Sequence, residues 1–254
     1  MQETWASIVA AHSSEKIEVM GTFLTQLTTY LLLALFFTPL DFSDPLVLRN
    51  YGLRAMTKRV KVSLLRKFGI SAFRNQLIAA ALHALQLALF QRLALPTPIC
   101  RVTASIPNFR EVFRDIFLCT LGREVLYYYL HRLLHNPRLY FHIHKHHHQF
   151  APPLAIAGHH FHPVDYIITG VLPVVIPAWV LKAHVLTMWL NIILVFTEAS
   201  VVHCRYNFYE MFDLKPTSHD LHHKYNNVNF GVFGAMDYIH GTNFLGERQS
   251  IVRK

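Results

Sequence analysis

Long uncharged stretches alternate with polar, histidine-bearing stretches along this chain. Residues 22–40 include the run LTTYLLLALFF and carry no charged side chain. At about 1.5 Å of rise per residue, a helix of this length crosses a hydrocarbon core of about 30 Å. A second apolar run, residues 77–95, is interrupted only by His83 and two glutamines before Arg92. Both runs predict membrane-spanning helices.

The second half of the chain contains a pair of apolar segments, residues 167–181 and 185–202, separated by Lys182, Ala183 and His184. So short a break predicts a hairpin of two spans, the first of them kinked by Pro173 and Pro177. A hairpin returns to the side of the membrane that it left. The polar segments before and after it are therefore expected on the same membrane face.

Two further segments are predicted to be helical but polar. Residues 112–135 carry charges such as Arg114, Asp115 and Arg123, which must face protein or water and not lipid. Residues 49–74 hold eight basic residues and no acidic one, and they predict an interfacial helix with Leu64 and Phe68 on its apolar face. The pattern as a whole predicts an all-α integral membrane protein with about four transmembrane helices and a histidine-rich cytosolic cap.

The composition agrees with a membrane protein. Of 254 residues, 52% are hydrophobic and only 15% are charged, and the mean hydropathy is +0.26, both unusual for a soluble globule. The net charge of +9 fits a surface that faces anionic lipid headgroups. The apolar majority argues against nucleic acid as a partner.

Three cysteines without a CxxC pair cannot form a disulfide framework, and they favour a reducing compartment. The N-terminus lacks the basic region and the cleavage site of a signal peptide, so we expect targeting to come from the spans themselves. The sequence shows neither a GxSxG nucleophile motif nor a glycine-rich phosphate loop.

Histidines provide the candidate chemistry. Side chains at positions i and i+4, or i, i+3 and i+4, share one face of a helix. Three clusters have this spacing, and a lone His203 precedes the last of them: His131 and His135; His144, His147 and His148; His219, His222 and His223. Neutral imidazole is the commonest nitrogen ligand for transition metals, and eight such ligands are enough for two ions.

Four other interpretations of the histidines remain open at this stage. A single HxxxH often occurs by chance on a polar helix face, and histidine-rich loops can bind metals loosely. The same ligands could hold zinc. A membrane metal-binding or transport protein is a further alternative, but transporters place their ligands in the middle of the membrane, whereas these clusters lie outside the apolar runs.

Glu124 precedes His131 by two helical turns and therefore lies on the same face. It is a candidate to orient an imidazole from behind the metal site. An ion pair with Arg123 or Arg114 would explain this carboxylate equally well.

The order of these motifs resembles the fatty acid hydroxylase and sterol desaturase superfamily, whose membrane di-iron enzymes carry HxxxH, HxxHH and a final HxxHH. The resemblance covers roughly residues 110–245. It includes Phe161-His162-Pro163-Val164-Asp165, which is similar to a segment of sterol C5-desaturases. Asn229-Phe230-Gly231, followed by Asp237 and by Gly241-Thr242, resembles the closing motif of the family, although Met236 stands where a tryptophan is usual.

The resemblance implies a ligand set. The eight clustered histidines match its motif positions, and His162 and His203 match its two intervening histidines. The full set of expected metal ligands is His131, His135, His144, His147, His148, His162, His203, His219, His222 and His223. Weaker candidates, as ligands or as supports behind them, are His159, Glu124, Asp165, Asn229 and Asp237. No catalytic residue beyond the metal ligands is predicted.

The resemblance also implies an activity and its requirements. We expect an O2-dependent di-iron oxidoreductase that hydroxylates or desaturates a lipid, a sterol or related terpenoid first and a fatty acid or sphingoid base as the alternative. It would use two Fe ions, O2 as co-substrate and electrons from cytochrome b5 and NAD(P)H through a separate reductase. Such a site is expected in the endoplasmic reticulum membrane, facing the cytosol. The predicted domains are a membrane region over residues 1–109, a catalytic domain over 110–245 and a tail over 246–254.

Overall fold

The computed structural model of the protein describes residues 1–43, 62–149, 154–204, 206 and 218–244. No β-strand occurs among these residues, so the all-α expectation is confirmed for the described part of the chain. The described α-helices of four residues or more are α1 Gln2–Ala11, α2 Ser14–Ser43, α3 Val62–Arg92, α4 Phe109–Leu134, α6 Lys145–His148, α8 Leu172–Val180, α9 Val185–His203, α10 Ser218–Tyr225 and α11 Ala235–His240. Three-residue helices α5 Pro137–Leu139 and α7 Pro163–Asp165, π-helical turns at Tyr140–His144 and Tyr166–Val171, and a 3-10 segment at Ala155–His159 complete the order.

Three of the described helical stretches are long and apolar enough to cross a membrane. They are Ser14–Phe42, Pro163–Val180 and Val185–His203. The first contains the predicted span 22–40, and the other two form the predicted hairpin. Where a kink was predicted, the first arm of the hairpin widens into π-helical turns ahead of Pro173, whose nitrogen cannot donate to the helix.

Helix α3 corrects the interpretation of the basic segment. We expected an interfacial helix ending near Arg74 and a separate span over residues 77–95, but one helix runs from Val62 to Arg92. In its first turns Phe68 is fully buried against Leu154 and Ile156, whereas Arg66 and Lys67 are exposed. α3 is not among the three stretches above, so the count of four spans is not confirmed. The basic residues from Arg49 to Lys61 lie outside the described residues.

Helix α4 supplies the platform for the first histidines. Asn108 caps its N-terminus by accepting a hydrogen bond from the Glu111 amide. The helix ends at Leu134, and Asn136 and Pro137 start the next short helix, so the chain turns back at once toward the second cluster. α4 packs against α8 and α9.

Buried carboxylates tie the connecting segments to the helices. Asp41, at the end of α2, accepts a hydrogen bond of 2.9 Å from the Ala155 amide. This contact fixes the start of the 3-10 segment, which packs between α2, α3 and α9.

Candidate metal centre

The structure brings the three predicted clusters and His203 together at one end of the helices. His131 and His135 occupy the last turn and the end of α4, and His203 is the last residue of α9. The π-helical turn Tyr140–His144 leads into α6, which presents His147 and His148. π turns insert an extra residue and are frequent at functional sites, where they redirect side chains.

Five imidazoles form what we call the first histidine group. Its members are His131, His135, His144, His148 and His222. Their ligand atoms all lie within 4.8 Å of one another. The Nε2 atom of His144 is 3.0 Å from that of His131 and 3.1 Å from that of His148.

Four imidazoles form the second histidine group, His147, His203, His219 and His223. The Nε2 atom of His203 is 3.3 Å from that of His147 and 2.9 Å from that of His219. His219 and His223 approach each other to 2.9 Å through the same atoms. Each group draws on segments far apart in sequence, as a built metal site does.

These distances fit metal coordination. At a metal–nitrogen distance of about 2.1 Å, neighbouring ligand nitrogens of an octahedral or tetrahedral ion lie about 3.0 to 3.4 Å apart. The Nε2–Nε2 separations of 2.9 to 3.3 Å in both groups are of this size. Within the described residues, the buried Nε2 atom of His135 has no hydrogen-bond partner. A metal ion in the first group would bind the lone pair of this atom.

The opposite ring nitrogens are held by the protein. The Nδ1 atoms of His131, His222 and His203 donate to the carbonyl oxygens of Phe230, Val228 and Ala199 at 2.8, 2.7 and 2.7 Å respectively. This arrangement places the proton on Nδ1 and leaves the Nε2 lone pair directed into the group.

His144 is supported by a carboxylate instead. Its Nδ1 lies 2.8 Å from the Oδ2 atom of Asp165, and both side chains are fully buried. Asp165 also accepts a hydrogen bond of 2.8 Å from the Thr169 hydroxyl. A carboxylate behind a metal-binding imidazole orients the ring and raises its basicity. The structure thus places Asp165 where a support for the first group belongs.

Burial keeps the clustered imidazoles neutral. Desolvation, and then the neighbouring imidazoles, lower the pKa of His135 to about 2 and hold the pKa values of His131, His147, His219 and His223 well below 6.5. Desolvation also lowers the pKa of His222 to about 4. Neutral imidazole is the form that binds metals. These ligand atoms are therefore available at neutral pH without the loss of a proton.

Two predicted histidines lie outside both groups. His162 caps α7, its Nδ1 accepting a hydrogen bond from the Val164 amide, and its ring lies 5.5 Å from that of His146. Pro163 starts the helix immediately after it and fixes this capping role. His159 is buried against Phe196 and hydrogen-bonds through Nε2 to the Ser200 hydroxyl at 3.1 Å. The structure does not bring either ring to the ligand atoms.

The remaining carboxylate and amide candidates support a loop and do not contact an imidazole. Glu124 accepts hydrogen bonds from the amides of Val232, Phe233 and Met236 at 2.7 to 3.0 Å. Asp237 accepts from the amides of Phe230 and Gly231 at 2.8 and 2.7 Å. Asn229 bonds to the backbone of Ser218 and Phe244. Together they fix the segment that provides the Phe230 carbonyl to His131.

The sequence interpretation missed a cavity beside the second group. It has a volume of about 100 Å³, and His147, His203 and His219 form part of its wall. Most of the remaining wall is apolar or aromatic, with an ion pair between Arg123 and Glu198 at 2.7 Å. Its other aromatic walls are Tyr127, Phe161, Tyr166 and Phe196. Aromatic residues in apolar helices give no local signal that separates a cavity wall from a lipid-facing side.

Comparison with known proteins identifies the class to which this fold and site belong. The family model "Fatty acid hydroxylase" matches residues 116–242, which include every residue of both histidine groups. The chain belongs to the fatty acid hydroxylase family. The expected resemblance is confirmed.

Individual relatives carry several different activities in their names. Fatty acid hydroxylase domain-containing protein 2 of Homo sapiens is 37% identical over 142 residues, which are 55% of this chain and 41% of the relative. Methylsterol monooxygenase 2-2 of Arabidopsis thaliana is 29% identical over 56% of this chain and 57% of the relative. A very-long-chain aldehyde decarbonylase of Oryza sativa subsp. japonica is 33% identical over 54% of this chain and 48% of the relative.

The chain spans less than half the length of the first curated relatives that it matches. No solved structure matches it.

Proposed function

We propose that the protein is a membrane-bound non-haem di-iron oxygenase or oxidase that acts on a C–H bond of a lipid. The observation that carries this proposal is the pair of histidine groups, five and four imidazoles, with Nε2 atoms at the spacing of metal ligands. The first group would hold one ion and the second group the other.

An all-imidazole ligand set suits iron that binds O2 and is reduced again between turnovers. Nine neutral ligands add no negative charge, and imidazole is a good ligand for iron as well as for zinc. The bound iron would supply O2 activation, which is the chemistry that the side chains of the protein lack. The chain itself holds the imidazoles in one tautomer, keeps them neutral and surrounds them with buried helices. The apolar cavity wall beside the second group favours oxidation of a lipid over hydrolysis at a zinc site.

The proposed substrate is a sterol or related terpenoid, with a fatty acid or sphingoid base as the alternative. The name of the Arabidopsis relative supports the first and the name of the family supports the second. The largely apolar wall of the cavity beside the second group suits contact with a hydrocarbon part of the substrate. A hydroxylase and a desaturase would share this metal site and differ in where the substrate carbon lies.

We further propose the setting of this reaction. Residues 110–245 would form the catalytic domain, preceded by a membrane region over 1–109 and followed by a tail over 246–254. A fourth span, residues 77–95, most of which belong to α3, would join the three apolar helical stretches. Electrons would come from a cytochrome b5-type donor and a separate NAD(P)H-dependent reductase. The site would face the cytosol, from the endoplasmic reticulum membrane in a eukaryotic host, because that is where the reductant is.

A metal transporter is the less favoured alternative. Transport sites lie near the middle of the membrane, whereas His203 is the last residue of α9 and both groups lie at helix ends.

The test of the activity is a lipid and sterol profile of cells that express the protein, compared with cells that lack it and with cells that express His222→Ala or His142→Ala. His142 is an exposed neighbour of the second cluster and belongs to neither group, so it is the matched control. We expect a product heavier by one oxygen or lighter by two hydrogens with the wild type and with His142→Ala, and none with His222→Ala. Identical profiles in all four cultures would contradict the proposed activity.

The sidedness has its own test. A glycosylation acceptor appended after Lys254 should remain unmodified in microsomes if the site faces the cytosol. Efficient addition of a glycan would place that end of the chain in the lumen and contradict the proposed electron path.

A further inference from the structure

A second concavity lies on the other side of the histidine segment, away from both groups. It has a volume of about 620 Å³ and lies between the first turns of α3, His146 of α6 and residues 160–163. The basic and imidazole side chains that line it belong to Arg66, Lys67, Arg74, His146, His160 and His162. Neither the metal site nor the proposed reaction uses this pocket.

Cationic side chains line one side of the pocket and imidazoles line the other sides. α3 contributes three cationic side chains, of which Lys67 and Arg74 are seven residues apart and therefore on one face. Three imidazoles approach from two other segments of the chain. No carboxylate is among the described residues that line the pocket. The positive charge comes from α3, and cationic groups that gather around an open volume raise its affinity for an anion.

The arginines are available for such an anion. Among the described residues, neither Arg66 nor Arg74 forms an ion pair. Arg74 is held in place by neutral partners, since its guanidinium donates to the Phe161 carbonyl at 3.3 Å and to the Asn75 side-chain oxygen at 3.2 Å. A guanidinium that is held by neutral acceptors keeps its full charge. Two serine hydroxyls, of Ser63 and Ser71, add neutral hydrogen-bonding groups to the wall.

The pocket lies where the apolar surface of the molecule begins. Pro163, on its rim, is the first residue of one of the three apolar helical stretches. Along α3, Ile70, Phe73 and Leu77 are 57%, 46% and 45% exposed and share one helix face. Such an apolar stripe beside basic side chains is typical of a helix at the level of lipid headgroups.

We propose that this pocket binds a phosphate group, presented as a phosphate ester of a lipid headgroup or as a soluble phosphate. Arginine matches the geometry of phosphate with two parallel donors, and lysine adds a point charge. The concave shape favours a compact tetrahedral anion over the flat acidic surface of a protein partner. His146 lies between the ligands His144 and His147, so the bound phosphate would sit against the segment that carries three metal ligands, but outside both groups.

The experiment titrates detergent-purified, metal-loaded protein by calorimetry with three soluble probes. These are dihexanoyl phosphatidic acid, dihexanoyl glycerol, which lacks the phosphate, and inorganic phosphate. We expect the phosphatidic acid to bind and the glycerol not to bind. Binding of inorganic phosphate as well would show that the phosphate alone suffices, while binding of the lipid alone would identify a headgroup site. Failure of both phosphate probes would overturn the proposal.

Variants locate the binding. Arg66→Gln combined with Arg74→Gln should weaken it by at least about tenfold, the usual effect of losing a charge-assisted hydrogen bond. Arg92→Gln, in the last turn of the same helix and outside the pocket, should leave it unchanged. Equal effects of both changes would contradict the assignment, as would polyglutamate that binds as tightly as the phosphate probes. An unchanged metal content in the double variant shows that it has folded, and Arg74→Lys provides a milder second variant.

Discussion

Four of the nine clustered imidazoles donate their Nδ1 proton to a fixed oxygen of the protein. Three of these oxygens are backbone carbonyls, for His131, His203 and His222, and the fourth belongs to Asp165 behind His144. A carbonyl fixes the tautomer, but a carboxylate adds negative charge next to the ligand. Among the described residues, His144 is therefore the one ligand of the first group that is shown with a charged partner behind its ring.

Replacement of this carboxylate tests that role. Asp165→Asn keeps a hydrogen-bond acceptor of the same size for His144 but removes the charge. We expect the affinity of the first group for metal to fall by roughly tenfold or more, measured by competition with a chelator. Glu3→Gln, an exposed change on α1, is the control. An unchanged affinity in Asp165→Asn would contradict a supporting role for this carboxylate.

All nine histidines that meet in the two groups were predicted from the sequence, because helical spacing and the order of the motifs are visible along the chain. The sequence could not predict how they divide. His147 and His148 are adjacent in sequence, yet they belong to different groups, since neighbours on a helix point about 100° apart. His162 was expected among the ligands, but the proline after it makes it a helix cap. The proline could be seen in the sequence. No local pattern showed that the capping imidazole would lie beside His146 and not among the ligand atoms.

At the scale of elements, α4 holds the loop that follows α10. Its buried Glu124 accepts three backbone hydrogen bonds from residues 232–236, and Asp237 holds the preceding turn. Gly231 is required there, because a Cβ atom would lie 2.7 Å from a Glu124 carboxylate oxygen. We expected Glu124 to orient an imidazole directly. It holds this loop instead, and the loop provides the carbonyl oxygen that His131 contacts.

Replacement of Glu124 should destabilise this loop. Glu124→Ala leaves three amides without their acceptor, and we expect the free energy of unfolding to fall by about 3 kcal/mol. Glu111→Ala, on the same helix but partly exposed and in a single ion pair with Arg101, should cost less than about 1 kcal/mol. Denaturant titration in detergent, followed by circular dichroism, measures both. Equal losses in the two variants would contradict this account of the loop.

Helix α3 shows why element boundaries were harder to predict than element types. The change from basic to apolar composition near residue 75 suggested two helices, but one helix continues through it. Composition indicates the environment of a segment. Whether a helix continues depends on the backbone, and no proline interrupts residues 62–92. The apolar face of its first turns packs against residues 154–157, which are distant in sequence.

At the scale of the whole molecule, the hairpin of Pro163–Val180 and Val185–His203 brings the second and third clusters to the same end. This followed from the sequence, because a hairpin must return to the side that it left. The assembly also buries many neutral histidines, which makes folding sensitive to acid. Outside the two groups, burial lowers the pKa of His159 to about 3 and that of His160 to about 4.

The sign of this pH dependence follows from proton linkage. Between pH 6.5 and about 4, the unfolded chain binds protons at His159 and His160 that the folded protein excludes. The free energy of unfolding should therefore fall as the pH falls through this window. We expect a lower midpoint of thermal unfolding at pH 5 than at pH 7. An equal or higher midpoint at pH 5 would contradict the burial of neutral imidazoles.

The most direct test of the account is the metal content of the purified protein, measured by inductively coupled plasma mass spectrometry. With one ion in each histidine group, wild-type protein and His142→Ala should contain about two iron ions per chain. His222→Ala, which removes a ligand of the first group only, should retain about one. A wild-type stoichiometry near one with full activity, or an equal metal content in all three proteins, would contradict a two-metal centre built from these groups.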